Sequence, residues 1–261
     1  MTTIVLDPGH GGTDSGAVNQ SFFEKTFNLD IALMIRNYLR KHYDVNVIMT
    51  RSTDTELSLF TRTNLANQVN ADYFCSIHIN AGGGTGWESY IYNGSVSEQT
   101  VRAQETIHNY VMSQIRPYGV RDRGMKRANF HVLRETNMPS ILLENLFIDT
   151  NFDLNLLRNK TFLEKLGNAI GEGLARALAL SRINVDLYVV IAGSFVSLDN
   201  AQQRRNFLRS NGIEAIVVTT EIDGVTKYRV QSGAFRNRDL AEVRLDVVQN
   251  LGIEDAFIIT K

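Results

Sequence analysis

Several kinds of stabilising or functional apparatus are missing from this chain. Cys75 is the only cysteine in 261 residues, so an intrachain disulfide and a thiolate metal cluster are both excluded. Any metal here has to be held by His, Asp and Glu. There is no excess of charge of one sign: the formal net charge is -1, which gives no bulk attraction to nucleic acid or to an anionic membrane. The start, MTTIVLDPGH, has neither a basic segment nor a long apolar run. Neither a secretory signal nor a membrane anchor is expected, and synthesis as a soluble cytoplasmic protein is. The helical zinc motif HExxH is absent. The glycine-rich stretch Gly82 to Gly86 lacks the lysine and hydroxyl residue of a nucleotide-binding P-loop.

What is present is organised around Leu6-Asp7-Pro8-Gly9-His10-Gly11-Gly12. Thr3 to Leu6 reads as a buried strand that Pro8 and the glycines end sharply. His10 is thereby held at the carboxyl end of a strand, where ligands collect in open α/β sheets. The pattern recurs at Tyr73 to Asn80: alternation puts Tyr73, Cys75 and Ile77 on one face and Phe74, Ser76, His78 and Asn80 on the other. Glu24 stands just before a helix with Phe27, Ile31, Ile35 and Leu39 on one stripe. On its own Glu24 is equally well read as an acid favourable near a helix start.

Further along, Val45 to Thr50 reads as a strand, Leu59 to Val69 as a helix and Glu88 to Tyr92 as a strand at an edge. Glu98 to Ile115 reads as a long helix. Tyr118 to Asn129 reads as a loop whose Arg121, Arg123, Lys126 and Arg127 are either solvated or available to substrate carboxylates. Phe130 to Leu133 and Ser140 to Leu143 read as short strands about a turn at Pro139. The second ends in Glu144, and Arg134 follows the first. His131 is read as a structural residue within a strand, and His42 and His108 as surface residues on helices. Phe162 to Leu180 reads as a closing helix.

From about Leu187 an internal repeat appears. Tyr188-Val-Val-Ile-Ala-Gly-Ser-Phe195 matches Tyr228-Arg-Val-Gln-Ser-Gly-Ala-Phe235 in register, and each copy is followed by a helical stretch and a strand. The expected organisation is a large domain over 1-180, a linker over 181-186 and a small domain over 187-261, with repeats 187-226 and 227-261. The fold class is α/β: a mixed, mostly parallel sheet flanked by helices, then a small α+β domain ordered β-α-β-β-α-β. That order with aromatics on a sheet also describes an RNA-recognition module. From Tyr188 to Lys261 there are nine Lys/Arg and nine Asp/Glu, so the basic footprint of such a module is missing.

His10, Glu24, His78 and Glu144 thus place two imidazoles and two carboxylates at one sheet edge. Two His and one carboxylate suffice for a catalytic zinc site, and the remaining carboxylate can act as general base for amide hydrolysis. The strings TIVLDPGHGGTDSGA, FFEKTFNLDIA, TRSTDTELSLFTRTNLAN, ADYFCSIHINA and PSILLENLFIDT resemble the zinc-dependent N-acetylmuramoyl-L-alanine amidases of bacterial and phage cell-wall lysis, over roughly residues 2 to 178. The resemblance implies that His10, Glu24 and His78 bind one Zn²⁺ and that Glu144 is the catalytic carboxylate. The substrate it implies is the amide between N-acetylmuramic acid and L-alanine. Asn80, Arg121, Arg123 and Arg134 are candidate substrate contacts.

The repeat resembles the SPOR peptidoglycan-binding domain, with Tyr188, Phe195, Tyr228 and Phe235 as candidate glycan-stacking residues and Gln231 and Ser232 as candidate polar contacts. Each aromatic is equally well placed in the small domain's core. The combination resembles the mother-cell lytic amidases of spore-forming bacteria, acting on the wall after mother-cell access or lysis. A phage endolysin would look much the same, and a non-catalytic peptidoglycan-binding protein is the rival from another class. A monomer is expected.

Overall fold

The computed structural model describes residues 1-183 and 186-261, which form two compact units, Met1–Ile183 and Asn184–Lys261. The strands of the first are β1 (Thr2–Pro8), β2 (Val18–Asn19), β3 (Phe22–Phe23), β4 (Val45–Met49), β5 (Tyr73–Asn80), β6 (Trp87–Tyr92), β7 (Asp122–Ala128) and β8 (Ser140–Phe147). Its helices are α1 (Glu24–His42), α2 (Leu59–Gln68), α3 (Glu98–Ile115), α4 (His131–Arg134), α5 (Asn151–Leu157) and α6 (Lys160–Ala177). β2 and β3 make a small hairpin, and the others form one sheet in the order β4-β1-β5-β8-β6-β7. Every neighbouring pair runs parallel except β6 with β8. This is the mixed, mostly parallel sheet expected.

The two sheet faces are covered unequally, and that positions the site. On one face, Phe27, Ile31, Ile35 and Leu39 of α1, Ile107 and Val111 of α3, and Phe162, Leu166 and Ile170 of α6 bury Tyr73, Cys75 and Ile77 of β5. Their four-residue spacing is what lets each helix present one apolar stripe. The other face carries a smaller cluster: Val5, Ala66, Phe74, Val132, Leu133 and Leu142 beneath α2 and the single turn α4. Short cover leaves the carboxyl ends of β1, β5 and β8 open on this face, and the alternation of β5 aims His78 there.

The structure departs from the sequence reading in four places here. The basic segment read as a loop contains β7, which forms the sheet edge; β6 is therefore interior. Charged residues on an edge strand discourage further pairing, which is why the segment looked like a loop. Phe130 to Leu133, read as a strand, closes instead as the turn of α4, with Leu133 N–H bonding Phe130 O at 3.1 Å and Glu135 N–H bonding His131 O at 2.9 Å. Glu144 lies within β8 rather than at its end: the strand bulges after it, with Leu146 at φ 75°, and runs on to Phe147. Finally, Ser181 accepts a bond from Asp44 N–H and Ile183 donates to His42 O, both at 2.9 Å. These two residues of the expected linker thus belong to the first unit; residues 184 and 185 lie outside the described residues.

The second unit is β9 (Tyr188–Phe195), α7 (Leu198–Ser210), β10 (Ile216–Ile222), β11 (Val225–Phe235), α8 (Arg238–Gln249) and β12 (Phe257–Thr260). This is the expected β-α-β-β-α-β order, folded as an antiparallel sheet β10-β11-β9-β12. Asp223 and Gly224 both take positive φ, 51° and 73°, as a two-residue hairpin turn requires. The repeat is physical: Arg204 bonds Ala192 O at 2.9 Å and covers the Phe195 ring, and Arg244 bonds Ser232 O at 2.8 Å and covers the Phe235 ring.

Two buried arginines hold the turn after β1. Arg62 bonds Asp7 Oδ1 at 2.8 Å, Pro8 O at 2.7 Å and His10 O at 2.8 Å, while Arg51 bonds Pro8 O at 2.9 Å and Gly9 O at 2.8 Å. The Arg62 and Asp7 side chains are 3 and 1 % exposed. Removing one partner strands a buried charge, which costs roughly 3–5 kcal/mol. Arg62→Ala should accordingly lower Tm by roughly 10 °C, and adding Asp7→Asn should recover part of the loss in a thermal melt.

Candidate metal centre

The centre is built from three separate segments. His10 follows β1 in the left-handed region, at φ 58°, an uncommon conformation for a residue with a Cβ. Glu24 is the first residue of α1, and His78 stands on β5. Glu24 Oε1 lies 2.9 Å from His78 Nδ1 and 3.3 Å from His10 Nε2. It also accepts Ile79 N–H at 3.1 Å, while Oε2 accepts Ala17 N–H at 2.9 Å. The two imidazole rings meet edge to face, with centroids 5.1 Å apart. Asp14 Oδ2 sits 2.8 Å from His10 Nδ1, which fixes the ring's tautomer and aim.

Two glycines make room for this. A Cβ on Gly9 would lie 2.2 Å from the His78 ring, and one on Gly16 would lie 2.6 Å from both Glu24 Oε2 and the His10 ring. Their place in DPGHGGTDSG is therefore a steric requirement of the cluster.

Donor atoms of His10, Glu24 and His78 all lie within 4.8 Å of one another, and this is the one such cluster among the described residues. Nitrogen, nitrogen and carboxylate oxygen are suitable donors for zinc, so the residues fit the ion. Burial would raise the Glu24 carboxyl, but bonds from His10 and His78 outweigh it and hold the group well below the usual carboxylate range. Burial would likewise lower His10, yet Glu24 and Asp14 raise it to about 9. A cation entering this site displaces imidazole protons.

Glu144 pairs across the β5–β8 ladder with His78 and across the β6–β8 ladder with Glu88. Its Oε2 is buried without a hydrogen-bond partner among the described residues. Burial first, then the carboxylates of Glu24 and Glu88, push its pKa up to about 7, against the opposing pull of His78 and His10. A carboxyl titrating near neutrality is suited to accept and return a proton. A cavity of about 350 Å³ opens beside the cluster, walled by His10, His78, Asp14, Phe130, His131 and Leu142 among others.

The other candidates divide. Asn80 reaches the same sheet face, but its amide is occupied: Nδ2 bonds Glu88 at 2.7 Å and Oδ1 accepts Ala81 N–H at 2.8 Å. Arg123 is half-buried against Glu88, at 2.7 Å, and Arg121 is exposed just before β7. Arg134 ends α4, bonds Glu135 and Asn129, and lines a groove with Tyr92 and Ser140 at the amino end of β8. His131 heads α4 on the cavity wall rather than lying in a strand. His108 is buried, not superficial, bonded between Ser89 and Asp122. In the second unit Phe195 and Tyr228 pack on the core of Ala192, Leu208, Val230 and Val248. Ser232 is 0 % exposed, its hydroxyl turned to Val190 O. Phe195 and Tyr228 are half-buried against this core, and Arg244 covers Phe235.

Sequence reasoning missed Asp7, Arg51, Arg62 and Glu88. The first three lie inside strings that carried the resemblance, but the two arginines are distant from the histidine turn along the chain and meet it only in the fold. Glu88 had no assigned role, because two of its partners, Arg123 and Lys126, arrive from β7, which reads as a loop in the sequence.

An open α/β sheet with a His-Glu-His cluster at its carboxyl edge, beside a carboxyl of raised pKa, defines a hydrolase fold with a candidate metal centre. Residues 4–176 match the family described as N-acetylmuramoyl-L-alanine amidase, and residues 184–260 the SPOR domain. The chain belongs to the N-acetylmuramoyl-L-alanine amidase family and carries a C-terminal SPOR domain. It is 43% identical over 220 residues to the sporulation-specific N-acetylmuramoyl-L-alanine amidase of Bacillus subtilis (strain 168), covering 84% of this chain and 85% of that one. It is 41% identical over 185 residues to an endolysin of Bacillus phage SPP1, covering 70% and 68%. Among solved structures, the catalytic domain of CwlV, an N-acetylmuramoyl-L-alanine amidase from Bacillus (Paenibacillus) polymyxa var. colistinus, is similar with a TM-score of 0.64 and 34% identity, covering 69% of this chain and 100% of that one.

The raised Glu144 pKa is also a stability statement. The folded chain favours the protonated carboxyl, so the penalty is absent below about pH 4.5, grows as pH rises and is complete above about pH 7. In chelator-treated protein, Glu144→Gln should match the wild type at pH 4 and exceed it by roughly 3 kcal/mol at pH 8 in denaturant unfolding.

Proposed function

We propose that this chain hydrolyses the amide between N-acetylmuramic acid and L-alanine of peptidoglycan at the His10, Glu24, His78 centre. The observation that carries the reading is the pairing of that cluster with Glu144 across one ladder, in a chain of this family. His10, Glu24 and His78 would hold one Zn²⁺, which when bound supplies an acidified water and polarises the scissile carbonyl. Glu144 takes the proton of the attacking water on its carboxylate and returns it to the departing alanine nitrogen. Asp14 keeps the His10 ring aimed by its bond to Nδ1. Glu24 would otherwise be free to swing, and its bonds to Ala17 and Ile79 N–H hold it in place.

The second unit is read as the wall-targeting module. Alternation along β11 turns Gln231 away from the helices, in a row across the sheet with Ile216, Ile191 and Phe257. Ile216 and Phe257 are exposed while Ile191 between them is fully buried, so Gln231 with those two side chains is the glycan-facing surface; Tyr188, three residues from Ile191 on β9, falls on the other face by alternation. The biological role we assign is lysis of the mother-cell wall during sporulation, supported by the likeness to the sporulation-specific amidase. The likeness to the phage endolysin supports the same bond cleavage in a phage setting.

The decisive experiment is digestion of purified sacculi with and without a chelator, read by mass spectrometry. Release of stem peptides with a free N-terminal L-alanine, lost on chelation and restored by Zn²⁺, is the expected result; cleavage within the peptide would overturn the bond assignment. Glu144→Gln should retain the metal and release on the order of 10²–10⁴-fold less product. Ending the chain after Ile183 should preserve cleavage of small fragments while lowering co-sedimentation with intact sacculi. Unchanged sedimentation would remove the targeting role.

A further inference from the structure

Beside Glu144 lies a charged cluster that the reaction as described leaves unused. Glu88 is 1 % exposed, yet it receives Arg123 Nε at 2.7 Å, the Lys126 ammonium, Asn80 Nδ2 at 2.7 Å and Tyr90 OH at 3.0 Å. Burial would raise its carboxyl, and the bonds from Lys126 and Arg123 hold it below the usual value instead. Both cations lean on one carboxylate, so the cluster carries one unbalanced positive charge. That charge faces outward, since the Arg123 and Lys126 side chains keep 27 and 34 % exposure.

Arg123 is also preorganised. Only its Nε is bound to Glu88, and its terminal nitrogens have no partner among the described residues. Its guanidinium lies over the Phe147 ring, 4.7 Å from the centroid, a cation–π contact that restrains the fork. A planar fork with two free donors matches a carboxylate.

Position selects which carboxylate. Glu88 is directly opposite Glu144 on the adjacent strand, and Arg123 stands on the next strand beyond. With strands about 4.8 Å apart, the guanidinium is one to two spacings from Glu144, roughly 5–10 Å. In an extended stem peptide, with about 3.3–3.6 Å per residue, the carboxyl of the residue after alanine lies roughly 7 Å from the scissile amide.

We infer that Arg123 and Lys126, positioned by Glu88, form a subsite that recognises the free carboxylate of the second stem-peptide residue. The site therefore selects stems bearing that group as the acid over stems bearing it as the amide. This rests on the amidase reading and adds a specificity that the reading does not require. Arg123 and Lys126 touch the substrate; Glu88 is a positioning residue that aims them.

The test uses full-length chain and two soluble muramyl peptides identical except for a free or amidated carboxyl at the second residue. Binding is measured by calorimetry on Glu144→Gln with and without Arg123→Gln, and turnover separately on chain with Glu144 intact. The expected result is about tenfold tighter binding of the acid, a preference that shrinks with added salt. Arg123→Gln should remove that preference while changing affinity for the amide less than twofold, and Arg123→Lys should restore part of it. Glu88→Gln should reduce the preference with little change in affinity for the amide. Equal binding of the two peptides by the parent, or an equal loss for both in Arg123→Gln, overturns the inference. Absence of turnover with the binding preference intact would overturn the amidase reading alone, because the two readouts are independent.

Discussion

The structure of the first unit turns on one buried carboxylate. Glu24 touches every segment of the centre: the loop after β1 through His10, the segment before β2 through Ala17 N–H, and β5 through His78 and Ile79 N–H. A carboxylate with about four lone-pair sites can hold that many donors only if the segments arrive at fixed places. That requirement explains the buried arginines under the Pro8 to His10 carbonyls and the glycines that admit the His78 ring. The same bonds that assemble the cluster make it a site for a cation, since they keep the carboxyl ionised within a largely buried setting.

Glu144 obeys the opposite rule on the neighbouring strand. It has no hydrogen-bond partner on Oε2 among the described residues and lies near other carboxylates, so the proton is retained to near neutrality. Two glutamates within one sheet edge are thus driven apart in proton affinity by their surroundings: one saturated with donors, one deprived of them. Environments that separate paired carboxyls in this way divide the work of holding charge from the work of moving a proton. The bulge after Glu144 lets β8 serve both ends of this arrangement, pairing Glu144 with His78 and still reaching Asn80 with Phe147.

The second unit shows how a short repeat becomes a domain. Each copy places an arginine from its helix on the carbonyl left by an irregular strand and over a phenylalanine ring. The aromatics that look most like sugar-stacking residues in the sequence are partly spent on this packing. The row through Gln231 on the other face carries exposed apolar side chains instead. Periodicity puts residues on a strand but does not say which face the helices will cover, so the sequence left core and contact as equal readings.

Much of the fold and centre was legible because local chemistry and global placement agree. Alternation in Tyr73 to Asn80, apolar stripes in α1 and α3, and a histidine between strand and glycines each carry their meaning within a few residues. β7, α4 and Glu88 were not legible, because their states are decided by neighbours far along the chain. A basic segment pairs as an edge strand only where β6 offers it a partner, and a β-forming tetrapeptide closes into a helical turn only over Val5, Phe74 and Leu142. By itself the sequence determined the two units, the strand ends that carry His10 and His78, and the residues able to ligate a metal, since these follow from periodicity and side-chain type. Tertiary structure alone decided that Glu24 would be saturated and Glu144 deprived of donors, and that Glu88 would be neutralised by β7. Burial and long-range hydrogen bonding, which set those charges, exist only once the strands have found their order.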